Sequence, residues 1–173
     1  MILAGDNVAV PLEIHQVAYD HPDVTTLVAR LQQFYVERYG GPDDDPMSAS
    51  MFVPPEGAFF LGYDAGLPVA MGAWRLEGAA RLGASRTAEL KRMYVVPECR
   101  GLGHARRMLA HLESTAAAAG YEALLLSTGS RQPEAIALYE SEGYLPVEGF
   151  GHYAGGELNR CFGKLLGAPV TAC

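Results

Sequence analysis

A turn containing Gly101 and Gly103 is the segment of this chain best suited to chemistry. It follows a strand predicted over residues 88–96 and leads into a pattern of helical spacing that begins at Leu102. Glycines allow successive backbone N–H groups to converge, and a helix N-terminus adds partial positive charge. The turn therefore suits a phosphate or pyrophosphate group, although the same residues also build a plain tight turn.

Local charge supports the phosphate interpretation. Residues 91–107 contain one acidic residue, Glu98, and five basic residues, Lys91, Arg92, Arg100, Arg106 and Arg107. The whole chain has a net charge of −7, so this basic segment differs from the protein around it. The turn is not a Walker loop, because no Gly-Lys-Ser/Thr follows, and it lacks the third glycine of a dinucleotide fingerprint. A nucleotide-binding module stays open as an alternative on spacing alone.

The elements that position this turn follow from hydrophobic periodicity and turn residues. Asp20 is the predicted N-cap of the first helix, which ends at Gly40 and Gly41. The predicted strands cover residues 11–18, 57–63, 67–76, 88–96, 123–127, 144–147 and 160–166, and the predicted helices cover residues 21–39, 47–52, 102–119 and 133–142. Hairpins come first and strands alternate with helices later, which indicates a mixed α/β sheet in a single domain, 1–173.

Composition limits the class of protein. The 173 residues are 49% apolar and 19% charged, as in an ordinary globular domain. The acidic charge argues against nucleic-acid binding, and the cysteines show no metal-ligand spacing, which favours a reducing compartment and no metal site. No apolar run is long enough for a membrane helix, and Asp6 interrupts the segment where a signal peptide would be apolar. We therefore expect a cytoplasmic protein with no membrane partner.

Two blocks of residues resemble the GNAT superfamily of N-acetyltransferases. Residues 100–105 match its Arg/Gln-x-x-Gly-x-Gly/Ala motif between a strand and a helix, and residues 135–144 resemble its later motif, which ends in Leu-Tyr-x-x-x-Gly-Tyr/Phe. The resemblance is clear over residues 57–147. It implies a mixed, largely antiparallel sheet of about six or seven strands flanked by about four helices. It also implies transfer of an acetyl group from acetyl-CoA to an amine, and it disfavours the nucleotide-binding alternative.

The resemblance assigns a set of residues to acetyl-CoA. In the family, backbone amides of the turn hold the pyrophosphate, and the end of the preceding strand pairs with the pantetheine arm. Gln132 stands near a place where relatives carry an asparagine that touches the cofactor. The implied set is Met93, Tyr94, Val95, Arg100, Gly101, Leu102, Gly103, His104, Ala105, Arg106 and Gln132.

Two residues are implied for proton transfer. Tyr139 matches the family's tyrosine, which often protonates the departing thiolate, and its other interpretation is a core aromatic residue at helical spacing. Glu89 opens the fourth strand, where many relatives place the carboxylate that deprotonates the amine, and it could equally be a solvated strand residue. Rival positions for the base are Glu77, Glu148, His152 and Tyr153.

The acidic residues are concentrated in the first third of the chain. Residues 1–56 hold nine acidic and two basic residues, whereas residues 57–173 are balanced. In the family this region forms a wall of the acceptor cleft, so we hypothesise that residues 43–45 attract a cationic amine, with a solvated loop as the alternative. The substrate-binding residues expected on this basis are Tyr39, Asp43, Trp74 and Tyr153, and Trp74 could equally be a packing residue.

The leading function is therefore N-acetylation of a small-molecule or peptide amine. The alternatives are a protein lysine or N-terminal acetyltransferase and a catalytically silent acetyl-CoA sensor. Tyr139 favours an enzyme, because a sensor has no need to retain the acid. The resemblance also allows a homodimer.

Overall fold

The computed structural model describes residues 11–167, and seven of their segments form one sheet. The strands are β1 (Glu13–Val17), β2 (Gly57–Asp64), β3 (Leu67–Leu76), β4 (Thr87–Val95), β5 (Ala123–Gly129), β6 (Leu145–Pro146) and β7 (Asn159–Leu165). Their spatial order is β1-β2-β3-β4-β5-β7-β6. Only the β4–β5 pair is parallel among the pairs within residues 11–167. The predicted mixed, largely antiparallel sheet is confirmed.

Three α-helices flank the sheet in the described part of the chain: α1 (Pro22–Tyr39), α2 (His104–Ala118) and α3 (Pro133–Ser141). The helix predicted over residues 47–52 is instead a short 3₁₀ helix, Ala49–Phe52. Pro46, Pro54 and Pro55 bracket this segment, and a stretch this short between prolines suits one tight turn. None of the helices described is long and apolar enough to cross a membrane.

The N-cap of helix α1 lies one residue later than predicted. His21, and not Asp20, is the N-cap, and its Nδ1 accepts a hydrogen bond of 3.1 Å from the backbone N–H of Asp23. Pro22 fills the first helical position, where no N–H is needed. At the other end Gly40 adopts φ +81° and donates to the Val36 carbonyl, so the helix ends where the sequence predicts.

The core lies on both faces of the sheet. On one face the ring of Phe59 packs against Phe52, with 5.4 Å between ring centroids. On the other face α2 approaches β3 closely at Gly72, where a Cβ would lie 2.7 Å from Leu112 Cδ1. Trp74 belongs to this second face: it is 3% exposed, and its Nε1 donates to Thr115 Oγ1 at 3.0 Å.

The sheet opens between β4 and β5. These strands pair only from Thr87 to Glu89 and from Ala123 to Leu125, and they diverge beyond that point. On its other side β4 has a bulge against β3, at which Arg92 adopts φ +57°. The divergence leaves backbone groups of β4 and β5 facing a gap in the middle of the sheet, which is where the site is built.

Candidate active site

The turn between β4 and α2 presents unused hydrogen-bond donors. Gly101 and Gly103 have φ +79° and +80°, and Gly103 is the N-cap of α2 without a side-chain cap. Within residues 11–167 no protein acceptor meets the backbone N–H groups of residues 101–106. Converging free N–H groups at a helix N-terminus fit the pyrophosphate of a coenzyme A thioester.

The side chains of this turn are bound to the protein. The Arg100 Nε donates to the Val95 carbonyl at 3.0 Å, and its guanidinium lies over the rings of Phe34 and Tyr94. The buried His104 places Nε2 3.2 Å from Asp64 Oδ2, and Arg106 forms an ion pair with Glu142. The backbone of the turn is therefore more available to an anion than its basic side chains are.

A cavity of about 310 Å³ fills the gap between β4 and β5. Strand β4, strand β5, the end of α1, α3 and the segment before β7 all contribute to its wall. The predicted site residues that line it are Tyr39, Asp43, Met93, Gln132, Tyr139 and Tyr153. Trp74 and Glu89 are not among its lining residues, and Trp74 packs as a core residue.

Four tyrosines face this cavity. Tyr139 is 5% exposed and packs edge-on against Tyr144 with 5.6 Å between ring centroids. Burial raises the pKa of the Tyr139 hydroxyl well above its usual range, with a smaller contribution from Tyr35. Burial likewise raises the pKa of Tyr35 to about 12. Both phenols are protonated at neutral pH, as tyrosines ordinarily are, and burial opposes their ionised forms.

The ends of α1 and α3 close one side of the cavity. Gln132 Nε2 donates to the Tyr39 hydroxyl at 3.2 Å, and Arg38 donates to the Arg131 carbonyl at 3.0 Å. Arg38 also forms an ion pair with Glu134. Gly129 is required beneath Tyr39, since any Cβ there would overlap the tyrosine ring. Tyr35 was not predicted, although it stands one helical turn before Tyr39 on the same helix.

Glu89 belongs to a buried cluster of four charges. It is 3% exposed, and its Oε2 accepts from Arg75 Nη2 at 2.9 Å while its Oε1 accepts from Lys91 Nζ at 3.3 Å. Asp45 Oδ2 accepts from the same two cations, at 3.0 Å from Arg75 and 2.6 Å from Lys91. Burial raises the pKa of Asp45, but the hydrogen bond and charge of Lys91 together with Arg75 outweigh it, and the pKa is lowered.

The other aspartates of the acidic loop, residues 43–45, are also paired. Asp43 Oδ2 accepts from Arg92 Nη1 at 3.1 Å, and the Tyr153 hydroxyl lies 2.6 Å from Asp43 Oδ1 and 2.8 Å from Asp44 Oδ1. His152 Nε2 lies 3.1 Å from Asp44 Oδ1. The solvated-loop interpretation is therefore wrong for Asp43 and Asp45. Sequence reasoning missed these pairings because they depend on how the loop folds back onto β3 and β4.

Solved structures share this fold. A protein from Klebsiella pneumoniae subsp. pneumoniae, assigned as an acyl-CoA N-acyltransferase, is 27% identical with a TM-score of 0.73, over 90% of this chain and 97% of that one. An IAA acetyltransferase from Bacillus cereus is 16% identical with a TM-score of 0.62, over 90% of this chain and 100% of its own. The second likeness shows the fold alone.

Sequence comparison shows the family. An IAA acetyltransferase from Azospirillum brasilense is 32% identical over 130 residues, which are 75% of this chain and 82% of that protein. The sequence model of the acetyltransferase (GNAT) family matches residues 25–144. This match includes both blocks that carried the resemblance, the glycine turn and the segment around Tyr139. The chain therefore belongs to the GNAT family, as an N-acetyltransferase that takes its acyl group from acetyl-CoA.

Proposed function

We propose that the chain acetylates the primary amine of a small molecule or peptide by direct attack within a ternary complex. The carrying observation is the cavity in the gap between β4 and β5, which has Tyr139 in its wall. The turn with free N–H groups follows β4 directly. Strand β4 and the turn after it thus offer places for the thioester arm and the pyrophosphate of acetyl-CoA, and the cavity beside β4 offers a place for the reacting amine.

The cosubstrate supplies the acetyl group as an activated thioester. The backbone N–H groups of residues 101–106 would hold its pyrophosphate, and the backbone of β4 beyond Glu89 is free of β5 and open to an extended arm. A backbone N–H fixed beside the thioester carbonyl stabilises the charge that develops on its oxygen, an effect worth about 3 kcal/mol. Holding both reactants in one cavity contributes through proximity as well.

Tyr139 is proposed as the general acid. Its hydroxyl carries a proton at neutral pH, and its position in the cavity wall gives it access to a leaving thiolate. The thiolate takes the phenolic proton, which Tyr139 regains from solvent.

Glu89 as general base stays a prediction, and its contacts oppose that role. Both of its oxygens accept from cations, and Glu89 is not among the residues that line the cavity. We propose instead that Glu89 holds Lys91 and Arg75 in place, and that the amine loses its proton to water. Glu89→Gln separates the two roles, since loss of a base removes the acidic limb of the kcat/KM pH profile, whereas loss of positioning leaves that limb in place.

A contact between two loops in the cavity wall favours a small acceptor over a lysine on a folded protein. The loop that carries Tyr153 reaches across to Asp43 and Asp44, at 2.6 Å and 2.8 Å from its hydroxyl. Both Asp43 and Tyr153 line the cavity, so this contact forms part of its wall.

The test follows thiol release from acetyl-CoA across a panel of amines. Tyr139→Phe should lower kcat by about a hundredfold or more while the KM for acetyl-CoA changes by about twofold at most. Tyr144→Phe is the matched control, because Tyr144 packs against the same ring and lies outside the cavity wall. Calorimetric binding of acetyl-CoA without turnover of any amine would indicate the sensor, and absence of binding would overturn the proposal.

A further inference from the structure

Arg92 occupies an unusual position in the wall of the cavity. It sits in the β4 bulge at φ +57°, a left-handed conformation that a long side chain adopts only when its surroundings impose it. Its side chain is 5% exposed, and it lines the cavity between β4 and β5. The strained backbone at Arg92 therefore places a buried guanidinium in the cavity wall.

The guanidinium has donors that the protein does not use. Arginine has five N–H donors, and here Nη1 donates to Asp43 Oδ2 at 3.1 Å. The Nε is buried without a partner, and Nη2 meets no acceptor in the part of the chain that the structure describes. A buried charged donor without a full set of acceptors is costly, so a ligand that supplies an acceptor is favoured there.

The neighbouring charged residues do not supply the acceptors that Arg92 lacks. Lys91 is engaged by Asp45 at 2.6 Å and by Glu89 at 3.3 Å. Asp43 Oδ2 accepts from Arg92, and its Oδ1 accepts from the Tyr153 hydroxyl and from the backbone N–H of Asp45. What faces the cavity is thus an Arg92–Asp43 ion pair with its two charges side by side, 3.1 Å apart.

A side-by-side ion pair complements a zwitterion. An α-amino acid carries a carboxylate and an ammonium on adjacent atoms of one short unit, so its carboxylate can bind Arg92 while its ammonium lies beside Asp43. Part of the wall is aromatic or aliphatic, at Tyr35, Leu90, Leu126 and Leu158, and this part suits an apolar side chain.

We propose that the acceptor is an α-amino acid with an apolar or aromatic side chain, whose carboxylate binds Arg92. This inference rests on the proposed function. The α-ammonium loses a proton to water, and its nitrogen then forms a bond to the acetyl carbon while the C–S bond breaks. The nitrogen releases a second proton to water, and the thiolate takes one from Tyr139. The products are an N-acetyl amino acid and free coenzyme A.

The first test uses the wild-type enzyme and pairs of acceptors in which the carboxylate is replaced by an amide. The kcat/KM values are referred to the concentration of the neutral amine, because the carboxylate also raises the pKa of the amine. L-phenylalanine is compared with L-phenylalaninamide, and L-leucine with L-leucinamide. We expect kcat/KM to be about tenfold or more higher for each acid than for its amide, since one charge-assisted contact is lost in the amide. Equal values, or higher values for the amides, would overturn the inference.

The second test assigns that preference to Arg92. In Arg92→Gln the ratio of kcat/KM for the acid to kcat/KM for the amide should fall to about one. Arg92→Lys should give an intermediate ratio, because lysine keeps the charge but cannot bind a carboxylate through two N–H groups. If Arg92 acts on the thioester carbonyl instead, both acceptors lose rate by the same factor and the ratio persists, which contradicts the inference. Thermal unfolding and acetyl-CoA titration check that each variant folds.

The outcomes separate the two proposals. If the wild-type enzyme acetylates simple amines and amides without preferring the acids, the inference fails and the proposed function stands. If no amine of any class is acetylated, the proposed function fails. If Arg92→Gln does not fold, the inference is still tested by the ratio of kcat/KM between acid and amide in the wild-type enzyme and in Arg92→Lys.

Discussion

The acidic loop at residues 43–45 and the turn at residues 100–106 have opposite charge and opposite use of hydrogen bonds. Every aspartate of the loop has a partner in the structure: Arg92 for Asp43, His152 for Asp44, and Arg75 with Lys91 for Asp45. Within residues 11–167 the backbone N–H groups of residues 101–106 in the turn meet no protein acceptor, whereas the Arg100 N–H donates to the Pro97 carbonyl. Charge singles out both segments in the sequence, but unused donors mark only one of them as a binding site.

The acidic loop also neutralises part of the basic segment, residues 91–107, that precedes and includes the turn. Lys91 and Arg92 contribute to the basic segment in the sequence, and both are bound by aspartates of the acidic loop. Arg106 is bound by Glu142, which leaves still less of the local positive charge available. The sequence suggests a basic segment and an acidic loop that act separately on ligands. In the structure the charges of the two are joined in ion pairs, which hold the loop against β4 and so shape the cavity wall at Asp43.

The largest effect that would test this contrast is on stability. Asp45→Asn leaves Arg75 and Lys91 without one shared partner in a buried cluster, so the free energy of unfolding should fall by about 3 kcal/mol in urea titrations. Asp44→Asn is the control, because the Asp44 side chain is 76% exposed, and it should change stability far less. Equal losses in the two variants would show that the loop is not organised around Asp45.

Acid should weaken the same cluster. The pKa of Asp45 in the folded protein lies below its ordinary value of 3.8, so its ionised form contributes stability above pH 3.8. That contribution is lost as the pH falls through the lower, folded-state pKa. The stability difference between wild type and Asp45→Asn should therefore shrink below pH 3.8, as measured by urea unfolding across an acid pH series. A difference that stays constant would place the effect elsewhere.

A smaller effect is expected from the basic side chains of the turn. Arg106 is half exposed and already paired with Glu142, so Arg106→Gln should raise the KM for acetyl-CoA by about twofold at most. A rise of an order of magnitude would mean that side-chain charge, rather than the backbone, holds the anion. Steady-state kinetics with saturating amine are sufficient for this measurement.

The smallest effect is expected for the exposed aspartate. If residues 43–45 attracted a cationic amine, Asp44→Asn would raise the amine KM in a salt-dependent manner. Since Asp44 is engaged by His152 and Tyr153, we expect a KM change below about twofold, with the same salt dependence as wild type. A clear salt-dependent increase would restore the steering hypothesis.

Much of the fold could be predicted from the sequence because it depends on local patterns. The hairpin of β2 and β3 follows from strand composition on both sides of a turn that contains Asp64 and Gly66, and α1 ends before Gly40 because glycine tolerates positive φ. The family of the chain follows from two motifs whose spacing is visible along one strand–turn–helix segment and one helix.

The rest of the site depends on contacts between distant segments. The bulge that turns Arg92 toward the cavity has no mark in the sequence, because it arises from a shift in the register between β3 and β4. The sequence predicts Glu89 as a candidate base, because its hydrogen bonds with Arg75 and Lys91 are visible only in the folded structure. Trp74 is settled as a core residue only by its contact with Thr115 of α2.

Binding of acetyl-CoA to two glycine variants tests the central claim most directly. Gly103→Ala and Gly66→Ala impose the same backbone strain, at φ +80° and +79°, and neither added Cβ meets an atom within 4 Å. Only Gly103 lies in the turn with free N–H groups. In calorimetric titrations we expect Gly103→Ala to weaken acetyl-CoA binding by about tenfold and Gly66→Ala to bind as wild type does. Wild-type affinity in Gly103→Ala would contradict the account.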